Sequence, residues 1–436
     1  MDTSKPKNNY CHQLLEVAVL RLNIILIYRI AILLLCKVIL WFLVVVGLDK
    51  FPSIGLDSLN GLNVPFGPNP AVRHRIFDLN KYRAMDAGAY VRIATDGYIG
   101  EKHVFAWYPL WPGLIRLVLK FVKMDPMILA VLLSNGLSVV AMLILWDTVK
   151  EEWGSLMAGW SVVLFGLFPG AVFFHLAYSE SLFMVLVFSL WRGLSRGHFK
   201  MALIASCLLP LTRGPGVFVL LPIILTIVAS NLDPIIVARI PRFARFIVSC
   251  GYVMPIKGYR SIALLLGPLV GWGIYLMFMR WTAGDMWAGF KAQDYFTVHS
   301  VWNLVDLPKF VTKYFQPVAL HTFSGSLIDR VAFAFLVILI PSIVRFDRRM
   351  LPWVYIFGIL PAMSGSFTSF LRFESTVFPI AIVLAAHVTG RLGLAGVVGA
   401  NPRIIQRWAM GMTIAIAFFL AHVFFCWRIV NDRWVG

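Results

Sequence analysis

The stretch MILAVLLSNGLSVVAMLILW, residues 127–146, runs for twenty positions without a charged side chain. An α-helix rises about 1.5 Å per residue, so this segment is long enough to cross a hydrocarbon core of about 30 Å. Backbone polar groups in lipid must bond within their own segment, which favours a helix over any open structure. The stretch therefore predicts a transmembrane helix.

Apolar runs of this kind recur about eleven times along the 436 residues. The chain is 59% hydrophobic and 14% charged, a balance that excludes an ordinary soluble domain. We predict an all-α polytopic membrane protein that forms one domain over residues 1–436. The runs lie at roughly 30–48, 127–146, 156–174, 180–195, 200–212, 214–230, 261–280, 328–344, 351–368, 373–390 and 408–427.

The net charge of +18 comes from short basic clusters between the apolar runs. Basic residues placed in short loops set the orientation of a membrane protein, whereas a nucleic-acid-binding protein gathers them on one face. We therefore expect contact with membrane lipids and no binding of nucleic acid. The basic loops WRGLSRGHFK, ARIPRFARF, RFDRRM and RLGLAGVVGANPRIIQRW should face the cytoplasm.

One segment, residues 104–122, decides which loops share a side of the membrane. It is apolar, but Pro109 and Pro112 break it, and Arg116 and Lys120 recur at helical spacing, which is typical of a helix lying in the interface. If it does not span, residues 49–126 form a first outer or lumenal loop with interfacial helices, and residues 281–327 form a second. If it does span, the later basic loops turn outward.

The sequence contains no motif typical of metal, redox or nucleotide chemistry. The cysteines show no paired spacing and no CxxC, and there is no phosphate loop, GxGxxG or HExxH. The histidines on or near the outer face match no metal-ligand spacing, so we expect no metal and no cofactor. These histidines are His103, His175, His299 and His321.

The sequence MDAGAYVRIATDGY, residues 85–98, places Asp86 four residues before Tyr90 in a helix-compatible run. Glu101 follows just before the aromatic, proline-rich segment. A carboxylate at a membrane surface suits a general base that acts on a hydroxyl acceptor. A solvated surface charge is the alternative for any one of these acids. Asp96 precedes a glycine and reads as part of a turn.

The sequence PLTRGPG, residues 210–216, interrupts an apolar stretch with two prolines, two glycines and Arg213. Irregular backbone at membrane depth is tolerated only where protein or water surrounds it, and an arginine there is a functional candidate. An anion near the headgroups would be its partner. An arginine that snorkels to the interface from a plain helical hairpin is an equally open alternative.

Two further motifs, AYSES at 177–181 and SFLRFES at 369–375, fall at span boundaries on the same predicted face. They supply acids, a hydroxyl and a second arginine, and the guanidinium offers a fixed fork of donors that suits phosphate. The residues concerned are Tyr178, Glu180, Arg372 and Glu374.

Taken in order, GYIGEKHVFAWYPLWP, AVFFHLAYSESLF, LTRGPGVF and RFESTVFP resemble the motifs of the second GPI mannosyltransferase family (the PIG-V type) and its bacterial relatives. These are polytopic glycosyltransferases of the GT-C superfamily. The chain departs from the family pattern where Ala84 and Met85 precede Asp86, and where AWYP replaces AFFP. The resemblance implies a polyprenyl- or dolichyl-phosphate sugar donor, usually mannose, and a lipid or glycolipid acceptor.

By this resemblance Asp86 is the catalytic base and the reaction inverts the sugar carbon. Glu101 is a second catalytic candidate because of its position before the aromatic, proline-rich segment. Arg213 and Arg372 would bind the donor phosphate. The resemblance also implies an active site on the outer or lumenal face, in a bacterial plasma membrane or in the endoplasmic reticulum. The leading alternative is a lipid-linked substrate transporter or flippase, and a structural scaffold is the third. Candidate substrate-binding residues are Tyr90, Tyr178, Glu180 and His103.

Overall fold

A computed structural model describes residues 86–100, 102–253, 258–295, 300–318, 320, 326–365, 367–392 and 404–430. Five positions before them are also described, namely Arg29, Ile32, Leu33, Leu35 and Lys37. Within these residues every regular element is a helix and no strand occurs. This part of the chain confirms the predicted all-α class.

The helices alternate with short 3-10 turns and tight breaks. In chain order the α-helices of the described residues are α1 (Asp86–Asp96), α2 (Leu110–Leu119), α3 (Pro126–Trp153), α4 (Ser155–Leu167), α5 (Glu180–Arg196), α6 (Phe199–Leu208), α7 (Leu220–Asn231), α8 (Pro234–Arg239), α9 (Arg242–Val248), α10 (Tyr259–Ala283), α11 (Ala288–Tyr295), α12 (Leu307–Phe315), α13 (Leu327–Phe346), α14 (Leu351–Val354), α15 (Leu360–Gly365), α16 (Phe370–Glu374), α17 (Pro379–Val388) and α18 (Ile404–Val430). The 3-10 segments are Lys102–Ala106, Pro169–Phe174, Leu209–Leu211, Gly214–Val219, Val301–Leu304 and Arg348–Met350, and a π-helical turn covers Tyr355–Ile359.

Five helical stretches of the described residues are long and apolar enough to cross a membrane. They coincide with five of the predicted runs, so the chain is an integral, polytopic membrane protein. These stretches are Pro126–Trp153, Gly214–Asn231, Tyr259–Ala283, Leu327–Phe346 and Ile405–Ile429.

Other predicted runs form shorter or broken helices instead of continuous spans. The run 156–174 breaks at Phe168, whose extended backbone precedes Pro169, and the run 373–390 restarts at Pro379. Proline disfavours helical backbone in the residue before it, which accounts for the break at Phe168. Phe378 keeps helical backbone, and Pro379 takes the first position of α17, where its missing N–H costs no helical bond. Most of the run 30–48 lies outside the described residues.

The ambiguous segment 104–122 is not one continuous helix. It contains part of the 3-10 segment Lys102–Ala106 and the ten-residue helix α2, which is about 15 Å long and too short to cross a bilayer. The indole N–H of Trp111 donates to the carbonyl of Ala177 at 3.1 Å. Helix α2 therefore packs against the loop that leads into α5.

Small residues bring the helices together. A Cβ on Gly193 of α5 would lie 2.6 Å from the Cβ of Ala202 on α6, and one on Gly271 of α10 would lie 2.0 Å from the carbonyl oxygen of Cys207. Close backbone approach of this kind is the usual basis of helix packing in membranes, where lipid offers no hydrophobic driving force.

Charged groups collect at the two ends of α5, which is about 25 Å long over its 17 residues. At its C-terminal end, Arg196 and Arg349 each pair with Glu152 at 2.9 Å. At its N-terminal end lies Glu180. Arg196 and Arg349 belong to two of the loops predicted to be cytoplasmic, WRGLSRGHFK and RFDRRM, so these two loops lie at the end of α5 opposite Glu180. The membrane face of each end stays a prediction.

Candidate active site

Four charged residues from distant parts of the chain meet at the N-terminal end of α5. Asp86 begins α1, Glu180 begins α5, Arg213 lies between two 3-10 segments, and Arg372 lies in α16. Each was a site candidate from the sequence, and the structure joins all four into one chain of ion pairs. We call these four residues the ion-pair cluster.

Glu180 is the centre of the ion-pair cluster. Its side chain is fully buried, and its Oε1 contacts both Nη1 of Arg213 and Nε of Arg372. Burial of an isolated carboxylate is very costly, and two guanidinium partners offset that cost. The N-terminus of α5 also favours a negative charge at this position.

Arg372 links the two carboxylates. Its Nε contacts Glu180, and its Nη1 contacts Oδ2 of Asp86. The guanidinium carbon lies 4.6 Å from the ring centroid of Tyr178 and 5.4 Å from that of Phe173. The two aromatic rings therefore fix the plane of the guanidinium while its nitrogens hold the acids.

A buried aspartate holds the helix that carries Arg372. Oδ1 of Asp329 accepts the backbone N–H of Leu371 at 2.8 Å, near the start of α16. The residue before α16, Ser369, has a left-handed backbone with φ of 54°, which is uncommon for a residue other than glycine. Asp329 thus anchors a tightly turned segment beside the ion-pair cluster.

Arg213 points into the protein. Its backbone is extended, and its side chain is only 9% exposed. The guanidinium carbon lies 5.1 Å from the ring centroid of Phe373, and Nη1 of the guanidinium forms an ion pair with Glu180. This arrangement differs from the snorkelling side chain that the sequence left open.

The glycines around Arg213 explain why the motif PLTRGPG is irregular. A Cβ on Gly216 would stand 2.2 Å from the carbonyl oxygen of Leu209, so no larger residue fits without movement of the backbone. A Cβ on Gly214 would lie 3.2 Å from the hydroxyl of Tyr108. The chain folds back on itself here, and the fold-back turns Arg213 toward α5.

Asp86 is the most exposed member of the ion-pair cluster, with 30% of its side chain accessible. Its backbone N–H donates to the hydroxyl of Tyr178 at 3.2 Å. One turn along α1, the hydroxyl of Tyr90 lies 3.1 Å from that of Ser179. Burial raises the pKa of Tyr90 to about 12, so this hydroxyl is neutral at physiological pH.

The remaining candidates lie elsewhere or outside the described residues. His103 packs edge to face on Trp107, with ring centroids 6.0 Å apart. His175 packs on His422, whose Nδ1 lies 3.2 Å from the carbonyl oxygen of Phe168. Glu101, His299 and His321 lie outside the described residues.

Glu374 does not join the ion-pair cluster, although the sequence grouped it with Arg372. Its side chain is buried, and its carboxyl oxygens have no hydrogen-bond partner within the described residues. A buried carboxyl group without a partner costs less free energy in its neutral form than as an anion. Within the same residues, no three His, Cys, Asp or Glu side chains form a group that could hold a metal.

Sequence reasoning missed Asp329 and the aromatic residue Phe173. Asp329 had a signal, because Ser326 and Asp329 match the S-x-x-D capping pattern that precedes an apolar run. The serine oxygen indeed accepts the N–H of Asp329 at 3.1 Å. Phe173 carried no signal, because a phenylalanine in an apolar run is ordinarily part of the core.

The fold and the site together define a polytopic α-helical membrane protein with a buried, charge-compensated cluster at one end of its bundle. No protein-family model matches the chain. No curated protein matches it either.

Solved structures of similar shape include the oligosaccharyltransferase of Archaeoglobus fulgidus, both with a tethered acceptor peptide that contains the NVT sequon and in its apo form. Each is 15% identical in sequence over 94% of this chain, with TM-scores of 0.42 and 0.44. The chain spans 55% and 56% of the length of those two chains.

Proposed function

We propose that the chain is a membrane-embedded glycosyltransferase of the GT-C type. It transfers a sugar, mannose by the family resemblance, from a polyprenyl- or dolichyl-phosphate donor to a hydroxyl of a lipid-linked or glycolipid acceptor. The observation that carries this proposal is the ion-pair cluster, in which a partly exposed carboxylate, Asp86, contacts Arg372, and Arg372 shares the buried Glu180 with a second guanidinium, that of Arg213. A base next to fixed cations suits a reaction that deprotonates a hydroxyl and expels a phosphate.

In this reaction Asp86 takes the proton of the acceptor hydroxyl. The acceptor oxygen forms a bond to the anomeric carbon while the bond from that carbon to the phosphate oxygen breaks. The electron pair of the broken bond stays on the phosphate, which leaves from the opposite face of the sugar. The single displacement inverts the anomeric carbon, as the resemblance implies.

The two arginines would stabilise the departing phosphate. A guanidinium presents planar, preorganised donors, which are most useful where negative charge grows during the reaction. Arg372 is the nearer candidate because it already contacts the partly exposed Asp86. Arg213 contacts the oxygen of Glu180 that Arg372 also contacts, so the two guanidiniums lie close together.

Three of the candidate substrate-binding residues have a different role in this proposal. Tyr90, Tyr178 and Glu180 are buried. The two hydroxyls contact protein groups, and Oε1 of Glu180 contacts both arginines, while its Oε2 has no hydrogen-bond partner within the described residues. Such contacts support positioning of Asp86 and of the two arginines more than direct contact with a substrate. His103 stays a candidate for the acceptor side, because it precedes the aromatic segment of the predicted outer loop.

The transporter alternative draws on one observation. Lys37 is buried within the bundle, where its Nζ donates to Oδ1 of Asn135 at 3.2 Å and to the carbonyl of Phe174 at 3.4 Å. An ionisable group inside the membrane is a common mark of a transport path. An assay that needs no compartments separates the two functions.

The test is sugar transfer by the purified, detergent-solubilised protein. Labelled polyprenyl-phosphate mannose is supplied with a panel of lipid and glycolipid acceptors, and the expected result is a labelled product that Asp86→Asn protein does not form. Detergent removes the two compartments, so a transporter gives no product. Failure of every acceptor, together with movement of the labelled lipid across vesicle membranes, would overturn the glycosyltransferase assignment.

A further inference from the structure

Arg372 uses different nitrogens for its two carboxylate partners. Nε, on the inner edge of the guanidinium, contacts Glu180, and Nη1, at its tip, contacts Asp86. The two contacts are therefore separable, because the tip can change partner while the inner edge stays bound. A lysine, with its single ammonium nitrogen, could not hold both acids in this way.

The two contacts also differ in strength. Glu180 is fully buried and has a second cation, Arg213, on the same oxygen. Asp86 is 30% exposed and forms an ion pair with Arg372. A partly exposed ion pair contributes much less free energy than a buried one whose loss leaves a charge uncompensated. The Asp86 contact is thus the replaceable one.

A phosphate group that approaches from the exposed side meets Asp86 first, because Asp86 is 30% exposed and its ion-pair partner Arg372 is 13% exposed. Phosphate oxygens and carboxylate oxygens accept from guanidinium nitrogens in the same bidentate geometry. The phosphate of an incoming donor and the carboxylate of Asp86 therefore compete for the same donor nitrogen.

We propose that a donor phosphate displaces Asp86 from Arg372, so that binding of the donor frees the carboxylate that then takes the proton of the acceptor. This inference rests on the proposed function and adds an order to it. Without donor, Asp86 is held in an ion pair. With donor bound, Arg372 stays anchored through Glu180 and its tip faces the phosphate.

The energetic consequence is measurable without turnover. Two ligands that compete for one group oppose each other's binding, and the coupling is the same from either side. Removal of the Asp86 carboxylate should therefore tighten phosphate binding, and this gain in affinity should depend on the guanidinium of Arg372.

The experiment is a double-mutant cycle on binding of undecaprenyl phosphate to the full chain in detergent. The proteins are the wild type, Asp86→Asn, Arg372→Lys and the double variant, and each is first checked for a cooperative melting transition. Asp86→Asn should bind about 5-fold or more tightly than wild type, and the gain should fall below about 2-fold in the Arg372→Lys background.

The matched control is Asp96→Asn. Asp96 is exposed at the other end of α1, so its substitution removes the same charge without touching Arg372. An equal gain in Asp96→Asn would show long-range repulsion only and would overturn the proposal. Unchanged or weaker binding by Asp86→Asn would do the same, as would a gain that persists with Arg372→Lys.

Two further measurements distinguish this inference from nonspecific lipid binding and from the proposed function. Phosphatidylglycerol, which carries a phosphate in an ordinary lipid headgroup, should not displace undecaprenyl phosphate, and equal competition would overturn a donor-specific site. A protein that shows the coupling but transfers no sugar would retain the competition between phosphate and Asp86 for Arg372, and would lose the proposed function together with the proton-transfer step. A protein that transfers sugar without the coupling would lose this inference alone.

Discussion

Arg213 and Glu180 form a buried ion pair that joins the break before α7 to the first residue of α5. The carboxylate is fully buried and the guanidinium is 9% exposed, so neither charge can turn to water if its partner is lost. The pair therefore fixes the relative position of two membrane segments as well as the charge of the site.

Glu180→Gln should destabilise the fold, because it leaves Arg213 and Arg372 without their shared anion. Loss of one member of a buried ion pair typically costs about 3–5 kcal/mol. The measurement is the denaturation midpoint of the purified protein in one detergent. The control is Glu151→Gln, which removes a carboxylate that is 43% exposed and also pairs with two arginines, Arg192 and Arg196, and which should cost less than about 1 kcal/mol. Equal losses in the two variants would contradict the central role of Glu180.

Asp86→Asn should lower turnover by about 100-fold or more while expression persists, because an amide keeps the shape of the side chain but cannot accept the proton. The measurement is initial-rate transfer from the labelled donor, with Asp96→Asn as the variant that should stay active. Glu101→Gln is the companion variant, with a smaller loss expected if Glu101 positions the acceptor. A nearly wild-type rate in Asp86→Asn would move the base to Glu101 or remove this role altogether.

Asp329→Ala should weaken both stability and donor binding, because Asp329 holds the start of the helix that carries Arg372. The matched variant is Asp306→Ala, since Asp306 is exposed and caps α12 through the N–H of Lys309 at 3.0 Å. Each removes an acceptor of a backbone N–H at a helix start, a loss that typically costs about 0.5–2 kcal/mol of stability. Only Asp329→Ala should also bind undecaprenyl phosphate more weakly, and equal binding by the two variants would show that the Asp329 contact is purely structural.

The apolar runs predicted the helical class and the positions of the long helices, because a membrane demands helices of known length. They did not predict that runs such as 156–174 break, since hydropathy does not register the effect of Pro169 on the residue before it. The site was predicted as a set of residues. Its connections could not be, because the contact between Arg372 and Asp86 joins residues 286 positions apart.

The interior position of Arg213 could not be predicted from its local sequence either. The motif PLTRGPG could serve a snorkelling or a buried arginine, and the local sequence is identical in both cases. What decides between them is Glu180, which lies on another helix. Glu374 lies two positions after Arg372 on the same short helix, and side chains at this spacing do not share a face, so the two residues meet different surroundings.

The orientation in the membrane is open to a direct test on a cysteine-free background. Ile99→Cys follows α1 at the end that carries the ion-pair cluster, and Ser155→Cys is the first residue of α4; both positions are exposed. A membrane-impermeant thiol reagent should label Ile99→Cys from outside and Ser155→Cys only after the membrane is opened. Labelling of both positions from the same side would show that the segment 104–122 crosses the membrane.

Arg213→Ala should lower turnover by an amount that corresponds to about 2–4 kcal/mol of transition-state stabilisation, the cost of losing one preorganised donor. Negative charge grows on the phosphate as the sugar leaves, so a fixed guanidinium stabilises the transition state more than the bound substrate. Arg213→Lys keeps the charge without the planar fork and should retain partial activity. The control is Arg196→Ala, which removes a paired arginine at the opposite end of α5 and should leave turnover within about 2-fold of wild type. If Arg213→Ala folds, binds the donor and turns over normally, Arg213 only compensates the charge of Glu180, and stabilisation of the leaving phosphate passes to Arg372.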